Sequence, residues 1–412
     1  MLTYQEALSV ILENTKILGK EKVFLNDALN RVLAEDIVAD RDNPPADNSG
    51  MDGFAVRYED IVGASQTNPA VLKIFGESKA GDIPPVLEKG YAIPIYTGAL
   101  IPQGADTVIQ KEFTKVEDGK VYIYKELKKG SNIRPKAGDY KKGDVLIKSG
   151  KTLRPPEIGI LSSVNKPTVY VYQKPRVAII TTGDEILDLA EPITKESQIR
   201  TSNTYSLYAQ VLQVGAYPTV IGFAKDNPED IREKLKYAKN FDIVLTTGGV
   251  SVGEYDLVKD FVKEVLNVNI HFWKVAIKPG KPLVFGTWGE DNSKLFFGIP
   301  GNPVASMVVF EVFVKPALSK MMGYEKIHSL TVDAILTQDF SRKSADRLEF
   351  IRVNVEYKNG NFYATPFGKQ GSNILTGMVN ANGLGIVEVG VESLKKDDKI
   401  RVVLFDTEFL YG

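Results

Sequence analysis

The 412-residue chain contains no cysteine and only two histidines, His271 and His328. The absence of cysteine excludes disulfide bonds, thiolate nucleophiles and cysteine-type zinc sites. Two histidines make a Ser-His-Asp triad or a histidine-rich metal centre a poor explanation of any activity. A metal site is therefore expected to use hard oxygen ligands, which Mg²⁺ and Ca²⁺ take in proteins.

The chain also lacks a long apolar run and an excess of one charge. Its most apolar late stretch, Val308 to Leu318, is interrupted by Glu311 and Lys315, and the N-terminus lacks the basic start and apolar core of a signal peptide. With 51 basic and 52 acidic side chains, the net charge is -1. A protein without affinity for nucleic acid or membranes, working in the cytoplasm, is expected.

The length and patterning predict an α/β multidomain protein. Helical spacing and a capping box of Thr3 and Glu6 open the chain, short β-like pieces follow, and from 175 strands and helices alternate. The expected architecture is a central three-layer α/β sheet domain, an inserted β domain and a small C-terminal β domain. The expected segments are an N-terminal helix and linker at 1–39, the inserted domain at 40–147, the returning linker at 148–174, the α/β domain at 175–326 and the C-terminal domain at 327–412.

Two predicted strands end in the same three residues, Thr-Thr-Gly, at 181–183 and 246–248. The second continues through Gly249, Val250 and Ser251. Ligands bind at the carboxyl ends of parallel strands, and glycine allows main-chain N–H groups to approach an anion closely. The pattern predicts an anion site, although a tight strand-to-helix turn would need the same residues.

Carboxylates follow three of the predicted strands: Glu185, Asp226, Glu254 and Asp256. Acids that converge at one sheet edge suit a divalent cation, most often Mg²⁺, held against phosphate oxygens. Each acid alone could instead complement a helix dipole.

Basic residues recur later in the chain. If Lys274 to Lys278 is extended, both lysines face one side and can form an oxyanion cradle, or simply a solvated strand face. Arg352 and Ser372 could bind an oxyanion in the last domain, where surface ion pairing is the alternative. Pro300 and Pro303 fix a rigid turn, and Asp52 by spacing alone is a turn residue.

Together these segments resemble the molybdopterin molybdenumtransferase family, the MoeA proteins and the E-domain of gephyrin. The ordered motifs are SGMDGFAV at 49–56, TGALIPQGADTV at 97–108, TTGDE at 181–185, TTGGVSVGEYD at 246–256, WKVAIKPGKP at 273–282, GIPGNP at 298–303 and QGSN at 370–373. The resemblance covers essentially the whole chain. It departs from the family at Gly50, where alanine is commoner, and at Phe54, where tyrosine is commoner.

The resemblance implies an elongated homodimer with a sheet domain of molybdopterin-binding type. It implies that adenylylated molybdopterin and molybdate, or tungstate, are converted to the molybdenum cofactor and AMP with the help of Mg²⁺. Contact with the adenylyltransferase of the pathway and with cofactor-accepting enzymes is a further expectation.

The resemblance also suggests roles for individual residues. Expected catalytic residues are Asp52, Thr97, Glu185, Asp226 and Asp256, of which Glu185, Asp226 and Asp256 would hold the metal. Expected substrate contacts are Arg134, Asp139, Thr182, Gly248, Gly249, Ser251, Lys274, Lys278, Pro300, Pro303, Arg352 and Ser372. Alternative interpretations are the adenylyltransferase of the same pathway, which should lack SGMDGFAV and the flanking β domains, and a non-catalytic molybdopterin-binding scaffold.

Overall fold

The computed structural model describes residues 1–224, 227–248 and 257–407, and for 257–260 the backbone alone. The chain divides into two compact units. Unit 1 contains Met1–Lys22 and Tyr170–Gly412, and unit 2 contains Val23–Val169. The two strands Lys20–Phe24 and Thr168–Tyr172 include the boundaries between the units.

Unit 1 contains a mixed six-stranded sheet covered by helices on both faces. Its strands, in spatial order, are Tyr217–Ala224, Arg176–Thr182, Ile243–Thr247, Lys294–Ile299, Pro282–Trp288 and Asn269–Lys274. The first four run parallel and the last two are antiparallel to their neighbours. The described helices of this unit are Tyr4–Glu13, Asn203–Val214, Pro228–Ala238, Leu257–Leu266, Pro303–Val309, the π-helical Phe310–Val314, Lys315–Met321 and the short Thr376–Val379.

The alternation of strand side chains creates the three layers. Val177 and Ile179 pack into one core with Leu207 of the helix Asn203–Val214. Ala178 and Ile180 face the opposite core, with Leu235 of the helix Pro228–Ala238. Because successive strand residues point to opposite faces, an uninterrupted apolar strand needs helices on both sides. The predicted three-layer α/β sheet domain is confirmed.

The later part of unit 1 forms a separate, closed β sheet. Its strands are Ile277–Lys278, Leu348–Lys358, Asn361–Pro366, Thr331–Leu336, Lys399–Leu404 and Gly383–Val387. Pairing of Gly383–Val387 with Leu348–Lys358 closes the sheet around its own apolar core. Short pairs complete the unit: Phe340–Ser341 with Ser393–Leu394, and Ile186–Leu187 with Ile199–Arg200.

Unit 2 is rich in β structure, as predicted. Its six-stranded sheet consists of Thr107–Gln110, Gly53–Val56, Tyr91–Ile95, Ala70–Ile74, Lys120–Ile123 and Thr114–Glu117. Two-stranded pairs join Asn48–Ser49 to Ile133–Arg134 and Ile37–Val38 to Val145–Ile147. The helix Pro155–Ser163 and the 3₁₀ turns Leu25–Asp27, Tyr58–Asp60 and Lys111–Phe113 complete the unit. Within the described residues of both units, no helix is long and apolar enough to cross a membrane.

Glu157 caps the helix Pro155–Ser163 and gives a testable pH dependence. Its carboxylate accepts hydrogen bonds from the Arg154 main-chain N–H at 3.0 Å and from Arg154 Nη2 at 2.7 Å. These bonds, opposed by burial, lower the pKa of Glu157 to about 2. The ionised carboxylate therefore stabilises the fold above its unfolded pKa, and this stabilisation is lost as pH falls toward 2.

We expect Glu157→Gln to reduce the free energy of unfolding by about 1–2 kcal/mol at pH 7. The difference from wild type should shrink between about pH 4.5 and pH 2, where the wild-type carboxylate becomes protonated. Thermal unfolding of both proteins across this pH range measures the difference in free energy of unfolding. A difference that grew on acidification would contradict the assigned role of Glu157.

Candidate functional site

The parallel strands of unit 1 end in register at one edge of the sheet. Thr181 lies beside Thr247, and Thr247 lies beside Ile299. The turns that follow, at 182–185, 248 and 300–303, therefore begin side by side. This is the edge at which open α/β sheets bind ligands.

Close packing of these turns requires glycine at two positions. Gly248 has φ +85°, and a Cβ there would lie 2.3 Å from the Thr182 carbonyl oxygen. Gly183 has φ +136°, and its Cβ would lie 2.8 Å from Glu185 Oε2. Side chains are strained at such φ values and would separate the turns. The glycine of the second Thr-Thr-Gly sequence is thus explained by close contact with the Thr182 backbone, and that of the first by its positive φ.

A cavity of about 570 Å³ opens above these turns. It is lined by Thr181, Thr182, Glu185, Ile186, Ile199, Arg200, Thr201, Ser202, Asn203, Thr247, Gly248, Pro282, Pro300, Gly301, Asn302, Pro303 and Asn373. We call it the strand-end cavity. Of the predicted site residues it brings together Thr182, Glu185, Gly248, Pro300 and Pro303. Its exposed Glu185 carboxylate can attract a cation, while the glycine turns and helix starts suit a phosphate.

A second cavity of about 440 Å³ is lined by Lys278, Pro279, Gly280, Lys281, Pro282, Pro300, Asn302, Ala305, Arg347, Gln370, Gly371 and Ser372. We call it the basic cavity. It shares Pro282, Pro300 and Asn302 with the strand-end cavity, so the two adjoin. It unites the predicted Lys278 and Ser372 with two cationic residues that were not predicted, Lys281 and Arg347.

The cations of the basic cavity are held by specific contacts. Lys278 Nζ lies 2.9 Å from Glu349 Oε1, yet 44% of the lysine side chain is exposed. Glu349 is buried, and its other oxygen lies 3.4 Å from Arg342 Nη1. Arg347 Nη1 donates to the Ile277 carbonyl at 3.4 Å. The arrangement leaves positive charge facing an open space suited to an oxyanion.

Arg352 is not placed as expected for an oxyanion ligand. Only 1% of the residue is exposed, and it lines neither cavity. Its Nη1 donates to the carbonyls of Gly371 at 3.0 Å and Ile374 at 3.3 Å, and Nη2 donates to that of Lys369 at 2.6 Å. Burial lowers the pKa of Arg352. Arg352 thus stabilises the 369–374 loop, and this loop places Ser372 at the basic cavity.

Lys274 and Lys278 do not share one extended segment, so the condition under which both lysines would face one side is not met. Lys274 ends a strand of the α/β sheet, whereas Lys278 pairs with the closed β sheet through Glu349. The chain changes sheets at Val275 and Ala276, where the Ala276 N–H bonds the Leu2 carbonyl at 2.7 Å. Lys274 is exposed and lines neither cavity.

Unit 2 brings together its own predicted residues. Asp52 Oδ1 accepts hydrogen bonds from both the main-chain N–H and the hydroxyl of Thr97, each at 2.8 Å. These two bonds hold the pKa of Asp52 below its usual range. The exposed Arg134 belongs to the strand pair that joins Ile133–Arg134 to Asn48–Ser49 and lies opposite Asn48. The segments bearing Asp52, Thr97 and Arg134 therefore meet.

Asp139 lies elsewhere on unit 2. Its Oδ2 accepts a hydrogen bond from Asn43 Nδ2 at 3.0 Å. The predicted Asp226, Gly249, Ser251 and Asp256, together with Glu254, lie outside the described residues.

Sequence reasoning missed several residues that line the cavities, notably Asn203, Lys281 and Arg347. Asn203 is a polar residue at the start of a helix, and Arg347 lies in a segment from which only Arg352 was selected. Their shared signal is position: each lies within a few residues of a strand or helix end at the ligand-binding edge.

Comparisons with known proteins cover nearly the whole chain. Three family models match it: the MoeA N-terminal region (domain I and II) at residues 2–165, a probable molybdopterin binding domain at 178–320, and the MoeA C-terminal region (domain IV) at 333–405.

Curated relatives and a solved structure agree with these matches. A molybdopterin molybdenumtransferase of Nostoc sp. is 37% identical over 373 residues, covering 90% of this chain and 85% of that protein. One from Bacillus subtilis is 36% identical over 394 residues, covering 94% and 90%. The crystal structure of the molybdopterin biosynthesis MoeA protein from Pyrococcus horikoshii OT3 has a TM-score of 0.81, with 34% identity, and the match covers 98% of this chain and 100% of that one. From motifs, fold and relatives together, the chain belongs to the molybdopterin molybdenumtransferase family, the MoeA proteins.

Proposed function

We propose that this chain inserts molybdate or tungstate into the dithiolene of adenylylated molybdopterin and releases AMP, the last step of molybdenum cofactor biosynthesis. The observation that carries the proposal is the shared wall of the strand-end and basic cavities. One cavity suits a phosphate ester and the other an oxyanion. A substrate that spans both would hold the two reactants in contact.

Charge and position give the two cavities different roles. The turns at Thr182 and Gly248 seat the phosphate bridge of the adenylylated substrate. Lys278, Lys281 and Arg347 attract molybdate, and Ser372 offers a hydroxyl donor. Holding both reactants in one site converts metal insertion into an effectively intramolecular step. When water attacks the adenylyl phosphorus, the P–O bond to the molybdopterin phosphate breaks, and AMP and the phosphate group of the cofactor are the products. If a molybdate oxygen attacks instead, the molybdopterin phosphate leaves and water then cleaves the P–O–Mo link to give AMP.

Mg²⁺ is part of this proposal. Glu185 supplies a hard carboxylate oxygen to the strand-end cavity, beside the Thr182 and Thr247 turns. Asp226 and Asp256 follow the two strands that flank the strand of Glu185, and we propose that they complete the ligand set. Within 1–224, 227–248 and 257–407, no group of three or more acidic or histidine side chains is placed so that it could hold a metal ion. Bound Mg²⁺ would neutralise phosphate charge as AMP departs.

Two further properties are proposed from the family. The protein works as a homodimer, which sedimentation can test, and it works in the cytoplasm with the adenylyltransferase and cofactor-accepting enzymes as its contacts. Neither property is needed for the chemistry described above.

The proposal is tested by mixing the protein with adenylylated molybdopterin, Mg²⁺ and molybdate or tungstate, and measuring AMP and cofactor. AMP release that depends on the oxyanion supports the transferase. Substrate binding without AMP release would instead indicate a scaffold, and formation of adenylylated molybdopterin from ATP would indicate the adenylyltransferase. Comparison of the AMP release rates with molybdate and with tungstate determines which metal the protein prefers.

Alanine substitutions of Arg347 and Arg352 should have different effects on molybdate binding and on stability. We expect Arg347→Ala to raise the half-saturating molybdate concentration about tenfold, because a charge-assisted contact is lost, with little change in thermal stability. Arg352→Ala should lower the free energy of unfolding by about 2–4 kcal/mol, since three carbonyls lose their buried donor. Titration with molybdate and thermal unfolding separate the two. A folded, stable Arg352→Ala protein with weakened molybdate binding would reverse the assignment.

A further inference from the structure

Asn203 occupies the first position of the helix Asn203–Val214 and lines the strand-end cavity. Only 7% of the residue is exposed. Its Nδ2 donates to Thr247 Oγ1 at 2.7 Å and to the Gly301 carbonyl at 2.8 Å. One buried amide therefore contacts the turns that follow two neighbouring strands.

Thr247 extends this connection. Its hydroxyl accepts from Asn203 and donates to the Pro300 carbonyl at 3.3 Å. Asn203, Thr247 and the two carbonyls form one network across the floor of the cavity, in which the bonds of Thr247 are buried and the bond to Gly301 is partly buried. Hydrogen bonds in such networks are directional and costly to break, because a buried partner is left unsatisfied.

The backbones joined by this network are already in contact. A Cβ on Gly301 would lie 3.7 Å from Gly248 Cα, an ordinary packing distance. The two glycines meet here without side chains, and the Thr247 hydroxyl links the same two strand ends through the Pro300 carbonyl. The Asn203 amide adds a second link from the side, through Thr247 and the Gly301 carbonyl.

The same helix start is tied to the first Thr-Thr-Gly turn. Thr204 Oγ1 lies 2.6 Å from Thr181 Oγ1 and 2.8 Å from Thr201 Oγ1, all buried. The beginning of this helix thus contacts three consecutive strand ends, two of them through Asn203.

We propose that Asn203 is a positioning residue, which sets the spacing between the 247–248 and 300–303 turns so that they receive the phosphate group of the substrate. The inference rests on the proposed function for the identity of that substrate. We call the hydrogen bonds from Asn203 to Thr247 and Gly301 the clamp, and they are present in the protein without ligand. Asn203 acts through Thr247 and Gly301 and takes no part in bond making.

Hydrogen exchange of the ligand-free protein tests the clamp. In Asn203→Ala, exchange of the main-chain amides of Gly248, Asn302 and Val304 should be about fivefold faster or more, because both hydrogen bonds of the Asn203 amide are lost. Ser206→Ala is the matched control: its hydroxyl bonds the Asn203 carbonyl at 3.2 Å on the same helix and does not line the cavity. Unchanged exchange in folded Asn203→Ala would overturn the clamp.

Kinetics then test its use by the enzyme. Asn203→Ala should raise KM for adenylylated molybdopterin about tenfold, while kcat changes less than about threefold. A loss confined to kcat, or no change in a folded variant, would overturn the positioning role. Absence of AMP release from the wild type would instead refute the proposed function, leaving the exchange result to be judged by itself.

Thr247→Val removes the hydroxyl that accepts the hydrogen bond from Asn203. This variant tests the network if Asn203→Ala does not fold. It should accelerate exchange at Asn302 and Val304 as well. Because both substitutions remove the same bond, the double variant should raise KM by less than the product of the two single effects. Fully multiplicative effects would show that the two residues act independently and would overturn the network.

Discussion

Glu185→Gln is expected to lower kcat by about 100-fold or more while the protein remains folded. Glutamine keeps the size of the side chain but removes the charge of the carboxylate that faces the strand-end cavity. The exposed position of Glu185 beside the Gly183 turn makes a large loss of stability unexpected. Single-turnover AMP release measures the effect.

The matched control for this change is Glu191→Gln. Glu191 is exposed six residues after Glu185 and does not line the cavity. Its carboxylate accepts a hydrogen bond from the Asp188 main-chain N–H at 3.0 Å. Its loss should leave AMP release near the wild-type rate. Equal rates in wild type and Glu185→Gln would remove Glu185 from the mechanism. Raising Mg²⁺ should partly restore Glu185→Gln if the carboxylate acts by holding the metal.

Asp52→Asn is expected to lower kcat by about 100-fold as well. The asparagine Oδ1 can still accept from the Thr97 N–H and hydroxyl, so the loop geometry is kept and only the charge is lost. A strong effect would show that the ionised carboxylate itself is needed. Because the two bonds depress the pKa of Asp52, it stays ionised below the usual carboxyl range, and its titration should add no acidic limb to the rate above about pH 4.

Asp42→Asn provides the comparison for Asp52. Asp42 Oδ1 also accepts a main-chain N–H, from Lys142 at 2.8 Å, and hydrogen bonds from Lys142 and Lys136 lower its pKa. It carries none of the predicted roles. Similar losses in both variants would indicate a general effect of charge on unit 2, whereas loss in Asp52→Asn alone supports a place in the reaction.

The sequence predicted local features where one segment contains all the information. The capping box of Thr3 and Glu6 is present, with the Glu6 N–H bonded to Thr3 Oγ1 at 3.2 Å. Asparagine followed by proline is typical of a helix start, and Asn227 caps the helix Pro228–Ala238. The parallel strands and their glycine turns followed from apolar runs that end in small polar residues.

The choice among basic residues could not be made in this way. Arg347 lies in the bend just before the strand Leu348–Lys358, whereas Arg352 lies within it, so the alternation of strand side chains does not relate the directions of the two side chains. The local pattern cannot tell which face borders a cavity. Only the packing of the 369–374 loop over one face buries Arg352 and leaves Arg347 on the cavity wall.

The lysines illustrate a second limit. The change of sheet between Lys274 and Lys278 depends on pairing of Ile277–Lys278 with Leu348 and Glu349, about seventy residues later in the chain. Periodicity within ten residues carries no information on such distant partners. Asn203 was missed for the same reason, since its bonds reach Thr247 and Gly301 on other strands.

The most direct test of this account is a crystal structure of the protein with adenylylated molybdopterin bound. The account predicts phosphate oxygens in the strand-end cavity, against the Thr182 and Gly248 turns, with the dithiolene directed toward Lys278 and Arg347 in the basic cavity. Density for the ligand away from both cavities, or with its phosphate in the basic cavity, would contradict it.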